Sequence, residues 1–268
     1  MCLSPRKIVT KREGCTLPSI YLVSCGKCVE CLIRKANEWA YRCMEEAKLY
    51  KNNCFVTLTY NDENLPTDGN LVRRDVQNFV KRLRSSVSPK RIRFFYCGEY
   101  GLKNLRPHYH LIIFNHDFLD KWFFKRDKKG TPLFRSSELE ELWPFGFSSV
   151  AELTFESARY CAKYLQKLRS DITNLVPPFI GMSLKPGIGY SAITPEILTR
   201  GGISKNGKSI PIPRYFLKVL SQSHDLEEWK ELRYRSFLHR FYLTDAHWSI
   251  LNARRKKWKE KIYSKRLT

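Results

Sequence analysis

The segment Arg106-Pro107-His108-Tyr109-His110-Leu111-Ile112-Ile113-Phe114 carries two of the chain's six histidines, separated by one residue. Its alternation predicts a strand, in which successive side chains point to opposite faces. His108 and His110 then share one face, while Tyr109 and Leu111 take the other. Two imidazoles so placed suit a divalent ion such as Mg²⁺ or Mn²⁺, the latter tolerating nitrogen ligands better. A carboxylate must extend the shell. Glu99 is the preferred third ligand, because it ends the preceding strand and antiparallel pairing brings it beside the histidines. Asp62 and Asp117 are weaker alternatives. An ion held there would polarise a scissile phosphate and leave coordination positions to substrate.

Downstream, Tyr160-Cys161-Ala162-Lys163-Tyr164-Leu165-Gln166-Lys167 reads as helix. The three- and four-residue spacings put Tyr160, Tyr164 and Lys167 on one face, with Lys163 beside Tyr160. A phenol of pKa about 10 is mostly protonated at neutral pH and needs electrostatic help to attack phosphorus. The ion and the two lysines supply that help. Attack by a tyrosine leaves a 5′-phosphotyrosine and a free 3′-hydroxyl, and two tyrosines permit a relay between successive cuts. Taken alone, tyrosines at this spacing are also what the half-buried side of an ordinary amphipathic helix looks like. The histidine pair turns the reading toward chemistry.

These groups must be carried by a folded core. Helix is expected from about Val29 to Lys51, stopped by Asn52-Asn53. A strand follows at Cys54 to Tyr60, then a helix around Asp75, Phe79 and Leu83. A second strand runs from Arg91 to Cys97 and is closed by Gly98-Glu99-Tyr100-Gly101. Gly146 to Leu153 is a further strand candidate, and Phe155 to Arg169 the helix that carries the tyrosines. Lys125 to Gly130 reads as a basic loop. Strands interleaved with helices predict an α+β sandwich, with helices on one face of an antiparallel sheet. The expected organisation is a Cys-rich element at residues 1–34, a core at 35–190 and a basic, mainly helical extension at 191–268.

Composition bounds the function class. The chain has 268 residues, 43% of them apolar, with 16 Phe, 14 Tyr and 6 Trp, so a sizeable core is feasible. Its 48 basic residues against 26 acidic give a net charge of +22, which predicts a polyanionic partner. Arg73-Arg74, Lys81 to Arg84, Lys90 to Arg93 and the tail from Ala253 are the basic runs, with Trp248 and Trp258 available for stacking. No apolar run is long enough to span a bilayer, and the N-terminus lacks the pattern of a signal peptide. Nine cysteines, an odd number, argue for reduced thiols and a cytosolic setting. Cys25, Cys28 and Cys31 fall at three-residue spacing, and Cys2 or Cys15 would complete a four-ligand structural zinc, Cys2 being preferred. Cys43, Cys54, Cys97 and Cys161 read as small core residues.

Several of these motifs occur together in one known family. Met1-Cys2-x-Ser4-Pro5, Cys25-Gly26-Lys27-Cys28-x-x-Cys31, Phe55 to Tyr60, Cys97 to Gly101, Arg106 to His110, Tyr160-x-x-Lys163-Tyr164-x-x-Lys167 and Lys185 to Gly189 resemble the replication initiation proteins of gokushovirus-type small single-stranded DNA phages (Microviridae), within the HUH endonuclease superfamily. The resemblance implies a ferredoxin- or RRM-like antiparallel sheet. It also implies rolling-circle chemistry: nicking one strand of the duplex replicative form at an origin, staying joined to its 5′ end, then cutting and religating a circle. His108, His110 and Glu99 would be the metal ligands, Tyr160 and Tyr164 the nucleophiles, and Lys163 and Lys167 their helpers. Leu168 stands where such helices often carry a second lysine. No phosphate-binding glycine loop is visible, so unwinding would fall to a host helicase and synthesis to a host polymerase in the bacterial cytoplasm.

Three other readings are open at this point. A relaxase or transposase of the same chemical class would keep the site and change the DNA target. A noncatalytic RRM-like nucleic-acid-binding module would dispense with His108. A basic packaging protein would account for the charge but not for the histidines and tyrosines.

Overall fold

The structure is a computed structural model that describes residues 2, 4–10, 19–101, 104–127, 130–163, 175–200, 202–205, 208–232, 249–250, 252–254 and 256–257. In chain order the elements are β1 (Arg6–Thr10), β2 (Ser19–Val23), α1 (Val29–Ala47), β3 (Asn53–Tyr60), α2 (Arg73–Ser86), β4 (Arg93–Tyr100) and β5 (Pro107–Phe114). They continue with β6 (Trp122–Arg126), β7 (Pro132–Arg135), α3 (Ser137–Leu142), β8 (Gly146–Glu152), α4 (Phe155–Lys163) and β9 (Phe179–Met182). Last come α5 (Glu196–Thr199), β10 (Ile203–Lys205), β11 (Lys208–Ile210) and α6 (Arg214–Leu220). Two compact units result, one of residues 36–193 and one of residues 1–35 with 194–268.

The first unit is an α+β fold built on a seven-stranded antiparallel sheet in the order β6-β7-β8-β3-β5-β4-β9. β5 lies between β3 and β4, at the centre of its longest pairings. Alternation along these strands sorts residues onto two faces. Val56, Leu58, Tyr60, Tyr109, Leu111 and Ile113 form one core with Val76, Phe79 and Leu83 of α2 and Leu139 and Leu142 of α3. Phe55, Phe95, Cys97, Ile112, Phe114 and Ala151 form the other, under Ala40, Cys43 and Ala47 of α1 and Ala158 and Cys161 of α4. Each fully buried Phe or Leu in these clusters contributes about 1.5–3 kcal/mol of burial free energy.

Helices therefore cover both faces, not the single face expected from the sequence. The strands are apolar on both sides over most of their length, and a second helical layer is needed to bury the second side. The small side chains of α1 and α4 let those helices lie close to the sheet. β4 also runs through Gly98 and Glu99 to Tyr100, where a closing turn was expected, because its pairing with β5 continues to Tyr100↔Pro107. α1 ends at Ala47, short of Lys51. The Asn53 side-chain amide donates to the carbonyls of Ala47 (3.1 Å) and Tyr50 (3.0 Å) and so caps the exit.

Three strands of this sheet were not foreseen. Lys125 and Arg126, expected in a loop, belong to β6, which hairpins onto β7 with a bulge between Phe123 and Lys125. β9, in a segment expected to be irregular, adds the opposite edge by pairing with β4. The cysteines expected in the core, Cys43, Cys54, Cys97 and Cys161, are all buried.

The second unit holds the β1–β2 hairpin, the N-terminal cysteine cluster, the β10–β11 hairpin and α6, with Phe216 and Leu220 buried. Among the described residues no helix is long and apolar enough to cross a membrane.

Candidate metal and tyrosine site

The register of β4 against β5 sets Glu99 directly opposite His108, and Cys97 opposite His110. Directly opposed residues in an antiparallel pair project to the same face. The Glu99 carboxylate therefore reaches both imidazoles: its Oε1 lies 2.8 Å from His108 Nε2 and 3.0 Å from His110 Nε2. Glu99 is 1% exposed and His110 6%, while His108 is partly buried. Burial pushes the Glu99 carboxyl up, but the hydrogen bonds to His108 and His110 outweigh it and hold the group below the usual carboxylate range.

The donor chemistry fits a divalent cation. Glu99, His108 and His110 each offer one ligand atom, and the three atoms lie within 4.8 Å of one another. The far nitrogens of both rings are engaged. His108 Nδ1 lies 3.1 Å from the Arg106 carbonyl, and His110 Nδ1 lies 3.0 Å from Thr57 Oγ1. A proton held at each Nδ1 leaves the Nε2 lone pair directed at the ion position. Phe55 stacks on the His110 ring at 5.5 Å and fixes its plane. The alternative carboxylates are taken up elsewhere: Asp62 pairs with Arg106, and Asp117 pairs with Lys121.

Tyr160 comes to this cluster from the helix above. α4 starts at Thr154, whose Oγ1 accepts from the Ser157 N–H at 3.1 Å while the Thr154 N–H donates to Ser157 Oγ at 2.8 Å. This reciprocal pair is a capping box with serine in place of the usual acid. Ala158, Cys161 and Ala162 are buried on the sheet side, and Cys161 Sγ lies 3.4 Å from Cys97 Sγ and 3.5 Å from the His110 carbonyl. With the helix seated so closely, the Tyr160 ring stands 5.1 Å from the His110 ring, edge to face, and stays 38% exposed. Tyr164 and Lys167 lie outside the described residues, as does the Lys163 side chain.

With that geometry in hand, comparison with known proteins is informative. The Replication-associated protein ORF2 family matches residues 53–169, a span that contains Glu99, both histidines and Tyr160. The chain is 31% identical over 233 residues to the replication-associated protein ORF2 of Spiroplasma virus 4, covering 81% of this chain and 71% of that one. It is 32% identical over 221 residues to the replication-associated protein VP4 of Bdellovibrio phage phiMH2K, covering 77% and 70% respectively. The chain belongs to the replication-associated protein ORF2 family. It is also 29% identical over 249 residues to the replication-associated protein ORF4 of Chlamydia phage 1, covering 85% of this chain and 61% of that one. No solved structure matches. Membership of this replication-associated family and the Glu-His-His cluster together support a HUH-type nuclease activity in general terms, on an antiparallel sheet consistent with the HUH fold.

Sequence reasoning missed Thr57 and Phe55, the partners of His110. Their alternation on β3 was visible, but which histidine each would meet depends on the β3–β5 register. The basic run on α2 was visible too, and the fold puts α2 on the face away from the cluster. Arg82 donates to the Leu142 carbonyl at 2.9 Å and Arg73 lies over the Phe179 ring at 4.1 Å, so part of that charge serves packing.

A second ligand group stands in the other unit. The sulfurs of Cys2, Cys25, Cys28 and Cys31 lie within 4.8 Å of one another. Cys15, the alternative fourth ligand, is outside the described residues. The sulfurs of Cys25 and Cys31 are 4.0 Å apart, and those of Cys28 and Cys2 3.8 Å. A tetrahedral ion with bonds of about 2.3 Å to sulfur needs edges of about 3.8 Å. Gly26 takes φ +72°, which turns the chain between Cys25 and Cys28 so that the N–H groups of Lys27 (3.4 Å) and Cys28 (3.3 Å) donate to Cys25 Sγ. Burial opposes ionisation of Cys25, yet these donors lower its thiol to about 6.

Proposed function

We propose that this protein is a rolling-circle replication initiator of the gokushovirus type, a metal-dependent tyrosine endonuclease acting on single-stranded DNA at a phage origin. The observation that carries the reading is the approach of Tyr160 to His110, beside Glu99 and His108, from a helix 50 residues further along the chain. The relatives' names, all replication-associated proteins of viruses and phages, support the same reading.

His108, His110 and Glu99 would hold Mg²⁺ or Mn²⁺, which when bound supplies Lewis-acid polarisation of the scissile phosphate. The Tyr160 oxygen attacks phosphorus and gives up its proton; the bond to the 3′ oxygen breaks, and that oxygen is protonated to a 3′-hydroxyl. The 5′ end stays on the tyrosine until a 3′-hydroxyl reverses the step and rejoins the strand. Tyr164 takes the second cut in this scheme, and Lys163 and Lys167 stabilise charge on the phosphate. Cys2, Cys25, Cys28 and Cys31 hold a structural zinc. Host helicase and polymerase supply unwinding and synthesis in the bacterial cytoplasm.

The test incubates the full chain with labelled single-stranded oligonucleotides and Mn²⁺, then denatures and looks for DNA covalently bound to protein. Wild type should form the adduct, Tyr160→Phe and Tyr164→Phe should each change which cut occurs, and the double change should abolish it. An undiminished adduct in the double variant would overturn the assignment. Elemental analysis should find about one zinc per chain, lost on Cys28→Ser.

A further inference from the structure

The face that carries the metal cluster extends well beyond it. Glu99 opposes His108, His108 opposes Thr59, and Thr59 opposes Phe147. Opposed residues project together, so these four form one row across β4, β5, β3 and β8. The alternation of β8 agrees: Ser148 and Val150 are buried, Val150 in the core of the opposite face. Phe147 is 63% exposed. Two strand spacings separate it from His108, roughly 10 Å.

Further out, the same face can be followed to the sheet edge. Leu133 packs with the core on the metal-bearing side, so Arg135, two residues on, projects the same way. Arg135 opposes Trp122 on the edge strand β6, and Lys125 opposes Leu133. Trp122 is 45% exposed. Lys125 Nζ lies 4.9 Å from the centre of the Phe124 ring, and the Arg135 guanidinium 5.6 Å from it, while Arg135 also pairs with Glu140 at 2.6 Å.

Exposed aromatic rings on an edge strand invite aggregation unless something covers them. The pattern here indicates what does. A protein interface depletes charge at its centre, whereas these rings alternate with cations. Duplex DNA hides its base faces inside the stack, whereas unpaired bases offer them to aromatic side chains. The net charge of +22 favours a polyanion throughout. We propose that Phe147 and Trp122 are stacking platforms for unpaired bases of single-stranded DNA flanking the phosphate at the metal site, with Lys125 and Arg135 following the backbone. This rests on the nuclease reading of that site, but its test does not require cutting.

The full chain is titrated, in EDTA so that no strand is cleaved, into fluorescent single-stranded oligonucleotides carrying 2-aminopurine. Stacking quenches that base. Phe147→Ala and Trp122→Ala should each weaken binding by roughly tenfold and relieve quenching, with Phe147→Tyr restoring both. Their melting temperatures should match wild type, because both rings are largely exposed. Duplex affinity should be unchanged by either substitution. Alanine variants that bind single strands within about twofold of wild type with quenching intact would overturn the proposal. So would an equal loss on single strands and duplex, which marks a general electrostatic surface. Failure of the wild type to form a covalent adduct with Mn²⁺, with quenching preserved, would sink the nuclease reading alone.

Discussion

Tyr109 and His110 are neighbours in the chain and face opposite environments. Behind the sheet, Tyr109 Oη spans the Val72 peptide groups, donating to the carbonyl at 2.8 Å and accepting from the N–H at 2.9 Å. It lies 2.8 Å from Tyr60 Oη, which donates to Asp75 Oδ2 at 2.7 Å. Burial pushes the Tyr109 phenol up to about 12, and Tyr60 is raised as well. On the other face, Tyr160 is exposed beside imidazoles and a carboxylate. The comparison separates two uses of one residue type. A tyrosine whose oxygen ties a helix start to a strand is structural, and one whose ring stays partly exposed beside candidate metal ligands is available for chemistry.

The sharpest way to break this contrast is to remove one side of it. His108→Ala or His110→Ala should reduce Mn²⁺-dependent adduct formation on the order of a thousandfold, the loss expected when several kcal/mol of charge stabilisation disappear. Single-strand affinity in EDTA should barely change. Adduct formation near the wild-type rate in His108→Ala would show that the cluster is not the reaction centre.

The structural face should respond in the opposite sense. Tyr109→Phe removes one oxygen from a buried network and leaves the Val72 N–H without its partner, at a cost of about 1–3 kcal/mol. Urea unfolding should show that loss, while the adduct rate per folded molecule stays at the wild-type value. A variant of unchanged stability and impaired cutting would merge the two faces into one functional site.

How far the sequence foretold this division depends on distance along the chain. His108 and His110 on one side of β5, and Tyr109 on the other, follow from a period of two and need no tertiary knowledge. Glu99 was legible because one short connection joins its strand to β5, and hairpin-like pairing brings it opposite His108. Thr57 and Phe147 were not. Their roles depend on β3 and β8 pairing in register with β5, contacts that span roughly 40 to 90 residues and leave no local signature. The β6–β7 hairpin was hidden for a different reason. Its bulge at Phe124 breaks the alternation, and its lysines and arginine resemble a solvated loop. Helices on both faces were also illegible, since apolar residues on both sides of a strand say that it is covered but not by what.

The smallest effect tests how finely the reactive face is organised. Thr57 touches neither the candidate ion position nor Tyr160, and its hydroxyl lies 3.0 Å from His110 Nδ1. A partner at that nitrogen keeps the proton there and the Nε2 lone pair free, and its loss typically weakens metal affinity by about tenfold or somewhat more. Thr57→Val preserves the shape and removes the oxygen, so the Mn²⁺ concentration for half-maximal adduct formation should rise about tenfold while the rate at saturating Mn²⁺ stays near wild type. Thr57→Ser should restore the wild-type midpoint. A drop in the saturating rate with the midpoint unmoved would mean that Thr57 acts on the tyrosine or the DNA, and that the orientation of His110 is set by Phe55 stacking alone.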